Sequence, residues 1–173
     1  MGRRPGKHLF CVRVKVQHMR AIFLILVLAG VQASGQVVLR INDVPAVTIA
    51  AADMAKLPRH TAVMEDHGKQ ISYEGALLSD VLAHGGLDFG KGLRGKQLSS
   101  YVAALASDGY EVVYALAEFD PTIVNSEIIV ADKREGQPLG ANEGPFRIVV
   151  PHDKRPTRSL RMLQEIDVVQ LKK

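Results

Sequence analysis

The sequence predicts an α+β domain: mixed, mostly antiparallel small sheets with two or three short helices. Short β-branched runs recur between turns rich in Gly, Pro and Asp, which is the signature of paired short strands. Only one stretch carries a clear helical period, and the strands are spaced too irregularly for a βαβ succession.

Taken in order, Val37–Ile41 (VVLRI) reads as the first strand. Thr48 is expected to cap a short helix over residues 50–56, with Asp53 in its early turns and Pro58 as its stop. Residues 59–65 read as a strand, turned at Asp66-His67-Gly68-Lys69 into a return arm at Ile71–Tyr73. Leu77, Leu78, Val81 and Leu82 share a helical face, and Gly85-Gly86 ends that helix. Residues 99–106 and 110–114 form a second hairpin around Ser107-Asp108-Gly109, with a helical turn after it at 116–119. Strands are expected at 127–132, 146–150 and 166–171, with a turn at Lys133-Arg134-Glu135-Gly136.

Ahead of this domain lies an uncharged run, Ala21–Gly30 (AIFLILVLAG). A bilayer-spanning helix needs about 20 apolar residues. This run has instead the length of a signal-peptide core, with Arg13, Lys15 and Arg20 before it and small residues after. Val31 and Ala33 supply the small pair for cleavage after Ala33, and Ala33 with Gly35 is a second option. Residues 1–33 therefore read as a leader, with Met19 an alternative start, and residues 36–171 as one domain. The expected location is periplasmic or secreted, with no membrane anchor after cleavage. A short N-terminal core helix is the competing reading.

The leader also carries the charge. The chain has 22 Lys and Arg against 18 Asp and Glu; six of those cations and none of the carboxylates lie in residues 1–33. Residues 34–173 keep 16 against 18, so the basic balance of the whole chain does not describe the domain. No basic stripe with interleaved aromatics remains, and a nucleic-acid partner is not expected. The one cysteine, Cys11, belongs to the leader, which leaves the domain no disulfide, thiolate ligand or cysteine nucleophile.

His60, His67, His84 and His152 lack the spacing of a helical metal pair, so no metal ligands are nominated. No Gly-x-Ser-x-Gly elbow is present, and no catalytic residues can be named. The loop Gly90-Lys91-Gly92-Leu93-Arg94-Gly95 has the makings of a phosphate cradle but comes after a helix, which fails the context of a dinucleotide fingerprint. It reads as a plain loop or an anion nest. The densest region runs from Phe146 to Arg161, a buried strand leading into Lys154, Arg155, Arg158 and Arg161. Arg158 and Arg161, three apart, would share a face of a helical turn beginning near Pro156-Thr157. Guanidinium forks suit anionic oxygens. The alternative is a solvated basic loop paired with Asp153 and Glu165.

Six segments then stand in a familiar order: Leu57-Pro58-Arg59; residues 73–82 (YEGALLSDVL); Ser107-Asp108-Gly109-Tyr110; Ile129-Val130-Ala131-Asp132; Gly136-Gln137-Pro138-Leu139; and residues 144–151 (GPFRIVVP). Together they resemble the oxidoreductase molybdopterin-binding domain of the sulfite oxidase superfamily, over residues 36–171. The resemblance implies that family's mixed fold of several small sheets, and molybdopterin as cofactor. Its enzymes hold molybdenum through a pterin dithiolene and one cysteine thiolate. That cysteine would fall around Glu65–His67, where this sequence has none. The Gly/Tyr-rich turn with Lys that comes after the Val-Pro segment is replaced by His152-Asp153-Lys154-Arg155-Pro156. What survives is cationic: Arg147, Lys154, Arg155 and Arg158 are the expected ligand-binding residues.

These features are compatible with three functions. The first is an exported, non-catalytic binding module that takes an anionic small molecule such as a pterin cofactor. The second is a molybdenum-dependent oxidoreductase of sulfite oxidase type whose missing ligand comes from solvent, a partner or His67. The third is an interaction domain without ligand. No protein partner is indicated.

Overall fold

A computed structural model describes residues 1–2, 35–42, 44–90 and 92–172. The chain divides into two units, Met1–Gln32 and Ala33–Lys173, and the second holds every strand and helix named below. The expected leader from residue 3 onward, with its cleavage site after Ala33, falls outside the described residues. Among the described residues no helix is long and apolar enough to cross a membrane.

The domain is α+β, as expected: its described residues form ten short strands in two sheets and two short α-helices. The strands are β1 (Gln36–Ile41), β2 (Val47–Ala50), β3 (His60–Asp66), β4 (Lys69–Leu77), β5 (Ser100–Ala106), β6 (Glu111–Ala115), β7 (Ile129–Arg134), β8 (Gln137–Pro138), β9 (Arg147–Val149) and β10 (Leu163–Gln170). The helices are α1 (Ala51–Met54) and α2 (Leu78–His84). One sheet has the order β2-β1-β10-β5-β6; the other runs β3-β4-β7-β8, with β9 also on β7. Every pairing is antiparallel except β1 with β10, which joins the two ends of the domain.

Period two governs the first sheet. In β5, Ser100, Val102, Ala104 and Ala106 are buried and the residues between them half-exposed. In β10, Leu163 and Ile166 are three apart yet both buried, which a regular strand forbids. A register shift between Leu163 and Glu165 against β5 restores the phase, and the strand starts earlier than the expected 166. In the second sheet β9 and the first half of β7 are buried on both faces, while β3 alternates. Along β7, Ile129 and Ala131 join a small cluster with Met64 and Tyr73, while Val130 joins the main core with Ile148. Hence IIVA (128–131) and IVV (148–150) read as unbroken apolar runs rather than alternating ones.

One glycine makes this sheet possible. A Cβ on Gly75 would lie 2.1 Å from the Val130 carbonyl oxygen, where β4 bulges against β7 at Glu74/Gly75. No side-chain-bearing residue fits that approach.

The expected helix capped by Thr48 is corrected. Val47–Ala50 is a strand on β1, and α1 is a single turn capped by Ala50 without a side-chain bond. The β-branched trio Val47-Thr48-Ile49 pairs with β1 and buries Ile49, and that outweighs a local capping preference. The turn expected over 133–136 is also shorter. Lys133 and Arg134 are still strand, and only Glu135-Gly136 turn, both at positive φ. Of the helical face expected from Leu77, Leu78, Val81 and Leu82, the last three lie buried on α2, while Leu77 is the final residue of β4.

Candidate functional site

β3 and β4 are joined by the two-residue turn His67-Gly68, with φ of 50° and 77°. Positive φ at both positions is the hairpin geometry that matches strand twist. The turn places Glu65, Asp66, His67 and Gly68 along one wall of a groove of about 610 Å³. The opposite wall is Pro151, Asp153, Lys154, Arg155 and Pro156, the loop after β9. The two stretches that the family resemblance singles out, the cysteine position and the cationic turn, thus face each other.

The loop is held from several sides. The Ser159 hydroxyl accepts the Val150 N–H at 2.9 Å, the Ser159 N–H donates to the Pro156 carbonyl at 3.0 Å, and the Ile148 N–H reaches the Leu160 carbonyl at 2.7 Å. Tyr110 donates its hydroxyl to the Thr157 carbonyl at 2.9 Å, and Tyr114 donates to that of Arg158. Burial of the Tyr114 ring holds its hydroxyl well above the usual tyrosine range, so it stays a donor.

The four cations nominated from sequence part company. Lys154 and Arg155 are exposed on the groove wall, and among the described residues neither has a hydrogen-bond or ion-pair partner. Arg158 is engaged: its Nε and Nη2 donate to the two oxygens of Asp153 at 2.8 Å each, and its Nη1 to Glu118 Oε2 at 3.1 Å. These carboxylates, Asp153 first, push the guanidinium pKa still higher. Arg147 is 4% exposed. It lies over the Tyr73 ring, 4.6 Å from its centroid, and donates to the Tyr73 hydroxyl at 3.0 Å. Glu143 Oε2 is 3.3 Å from its Nη1, and Arg134 shares that carboxylate at 2.7 Å. Arg147 is therefore bound up inside the second sheet and does not line the groove. Arg161 lines a separate pocket with Tyr110 and Thr157. The helical turn near it is a 3-10 turn, Pro156–Arg158, which does not include Arg161.

Four N–H groups of the Gly90–Gly95 loop are already taken. Gly90 donates to Asp88, Gly92 to Phe89, Leu93 to Asp120 and Arg94 to Gln97, so these N–H groups do not form an anion nest. Asp120 is fully buried beneath it and accepts from Leu93, from the Thr122 N–H and from the Thr122 hydroxyl. Those bonds, the Leu93 one foremost, hold its carboxyl below the usual range. The sequence marks Asp120 only as the stop of the helical turn 116–119, which it is; its buried role under the loop has no local sign.

Among the described residues no three His, Cys, Asp or Glu side chains converge as a metal site. His67 is almost wholly exposed, 3.6 Å from Asp66, and His152 pairs with Glu127 at 2.9 Å on the surface.

The class these elements define is a small α+β domain with two sheets and a grooved end. No family model matches the sequence and no curated protein does. Among solved structures, the fold is similar to the crystal structure of the sulfane dehydrogenase SoxCD from Paracoccus pantotrophus. The TM-score is 0.58 at 14% identity, over 77% of this chain. The matched part spans 37% of that dehydrogenase chain. The likeness extends to the fold.

Proposed function

We propose that this protein is an exported binding module built on a molybdopterin-binding-type fold, which holds an anionic small molecule without redox catalysis. One observation carries the reading. Lys154 and Arg155 stand exposed and unpartnered, among the described residues, on a loop whose own backbone is firmly bonded, facing an open groove. The loop backbone need not be ordered on binding, so the ordering cost left is that of the two side chains.

The chemistry suits a phosphate ester such as that of a pterin cofactor. Lys154 supplies a compact charge and Arg155 a two-pronged donor for adjacent oxygens. A molybdenum centre of the family's kind does not fit. The place of its thiolate is taken by Glu65, Asp66 and His67, hard carboxylate and imidazole donors that do not substitute for a soft sulfur. No step through a metal is therefore assigned to these residues.

The test is titration of the domain with pyrophosphate and with a pterin phosphate, monitored by thermal shift and by amide chemical shifts. Binding should perturb residues 65–68 and 153–155 and weaken steeply with salt. Replacing Lys154 and Arg155 together by alanine should abolish it. A parent protein indifferent to both ligands would sink the proposal, and stoichiometric molybdenum in protein from its native compartment would replace it with an oxidoreductase.

A further inference from the structure

Asp153 lines the groove beside Lys154 and Arg155, and a bare carboxylate there would oppose an anionic ligand. Arg158, five residues on, covers both of its oxygens. The same guanidinium reaches Glu118, whose other oxygen accepts the Ala115 N–H at 3.0 Å at the end of β6. The guanidinium carbon lies 5.6 Å from the Tyr114 ring centroid, and the Arg158 carbonyl takes the Tyr114 hydroxyl. The residues between, Lys154 to Thr157, form a short loop closed by the Asp153–Arg158 fork and anchored to the first sheet. Its unpaired cations, among the described residues, are Lys154 and Arg155, since Arg158, whose side chain is 37% exposed, is engaged by Asp153 and Glu118.

We propose that Arg158 is a positioning residue of the groove: it cancels the charge of Asp153 and closes the loop, so that on this wall Asp153 does not offset Lys154 and Arg155, and the acidic lining that an incoming anion meets is confined to Glu65 and Asp66 on the facing wall. This rests on the anion-binding reading above and makes a sharper claim about it, because it assigns Arg158 no contact with the ligand. Losing Arg158 removes one positive charge and leaves two carboxylates without it, Asp153 at the groove wall and Glu118 at the end of β6.

Four proteins decide it: the parent, Arg158→Ala, Asp153→Asn and the double variant, each titrated with pyrophosphate. Arg158→Ala should bind about tenfold more weakly. Asp153→Asn should bind at least as well as the parent, and the double variant should recover most of the loss. Weakening of all three variants to the same degree would mean that Arg158 only holds the loop; unchanged affinity in Arg158→Ala would remove its role altogether. Either result overturns the proposal. A second measurement needs no ligand. The near-surface potential at the Lys154 and Arg155 amide protons can be read from relaxation by cationic and anionic paramagnetic cosolutes. It should fall in Arg158→Ala, return in the double variant, and hold in Arg158→Lys, which keeps the charge without the fork. If the parent ignores pyrophosphate while these potentials move as stated, the binding reading fails and the neutralising role of Arg158 stands. Potentials that do not move overturn that role.

Discussion

Arg59 and Asp132 are 73 residues apart in sequence and meet as a two-pronged pair, Nη1 to Oδ2 at 2.9 Å and Nη2 to Oδ1 at 2.5 Å. Each belongs to one of the short segments that mark the family resemblance, Leu57-Pro58-Arg59 and Ile129-Val130-Ala131-Asp132. The pair ties the entry to β3 to the middle of β7 across β4. Both side chains are partly shielded, 35% and 23% exposed. A double-mutant cycle of Arg59→Ala and Asp132→Ala should show a coupling of about 1 kcal/mol, at the upper end for a pair of this exposure. Additive losses in urea unfolding would show the pair to be incidental.

The Gly75 approach to Val130 sets a stronger expectation. With backbone rather than a flexible side chain at 2.1 Å, alanine cannot be accommodated by a rotamer change. Gly75→Ala should cost more than about 3 kcal/mol, the range of severe backbone conflicts, or prevent folding. Gly140 has no atom within 4 Å of an added Cβ and serves as the control, where alanine should leave the unfolding midpoint nearly unchanged. Equal behaviour of the two variants would refute the role of the bulge.

Asp120 gives a pH signature. Its folded carboxyl is held below its ordinary value of 3.8 by the Leu93 N–H and the Thr122 donors. A depressed carboxyl contributes stability that is present above the unfolded pKa and is lost as pH falls through the folded one. The parent should therefore lose stability below about pH 4. Asp120→Asn places an amide where three donors converge, so it should be less stable at neutral pH and show a shallower decline on acidification. Parallel pH profiles for the two proteins would show that Asp120 contributes nothing to acid sensitivity.

Much of the fold was legible because its signals are local. The Ser107-Asp108-Gly109 turn, the Leu78/Val81/Leu82 face and the β-branched runs each need only neighbours in sequence to be read. Thr48 misled because a good cap residue in a β-branched trio answers to its pairing with β1, which sequence does not display. The early start of β10 was hidden by a register shift that breaks the period of two. The site was half legible. The loop at 151–158 was conspicuous by charge, but four arginines and lysines look alike in a string. Only contacts separate Lys154 and Arg155, which face outward, from Arg147, which lies on Tyr73 at a separation of 74 residues, and Arg158, which covers Asp153. The pairing of Asp153 with this loop was open to sequence reading. That of Glu165 was not, because Glu165 meets Arg40 from the far end of the domain.

Tyr114 links the core to that loop and makes an alkaline prediction. Burial raises its hydroxyl pKa above the ordinary 10.0, with Arg158 pulling the other way. For a group whose folded pKa is raised, the stabilising difference is complete below the unfolded pKa and is lost as pH rises through the folded one. Above about pH 10 the unfolded chain sheds this proton while the folded domain retains it, so unfolding becomes progressively easier. Tyr114→Phe keeps the ring against Phe119, 5.7 Å away, and removes only the hydroxyl and its bond to the Arg158 carbonyl. At neutral pH it should cost about 1 kcal/mol, the net worth of one buried hydrogen bond with its carbonyl left unmet. Between about pH 10 and 11 the gap should narrow, because the variant lacks the titrating group. Thermal melts of both proteins across that range test it, and a gap that stays constant would mean that the Tyr114 hydroxyl is not shielded by the loop it anchors.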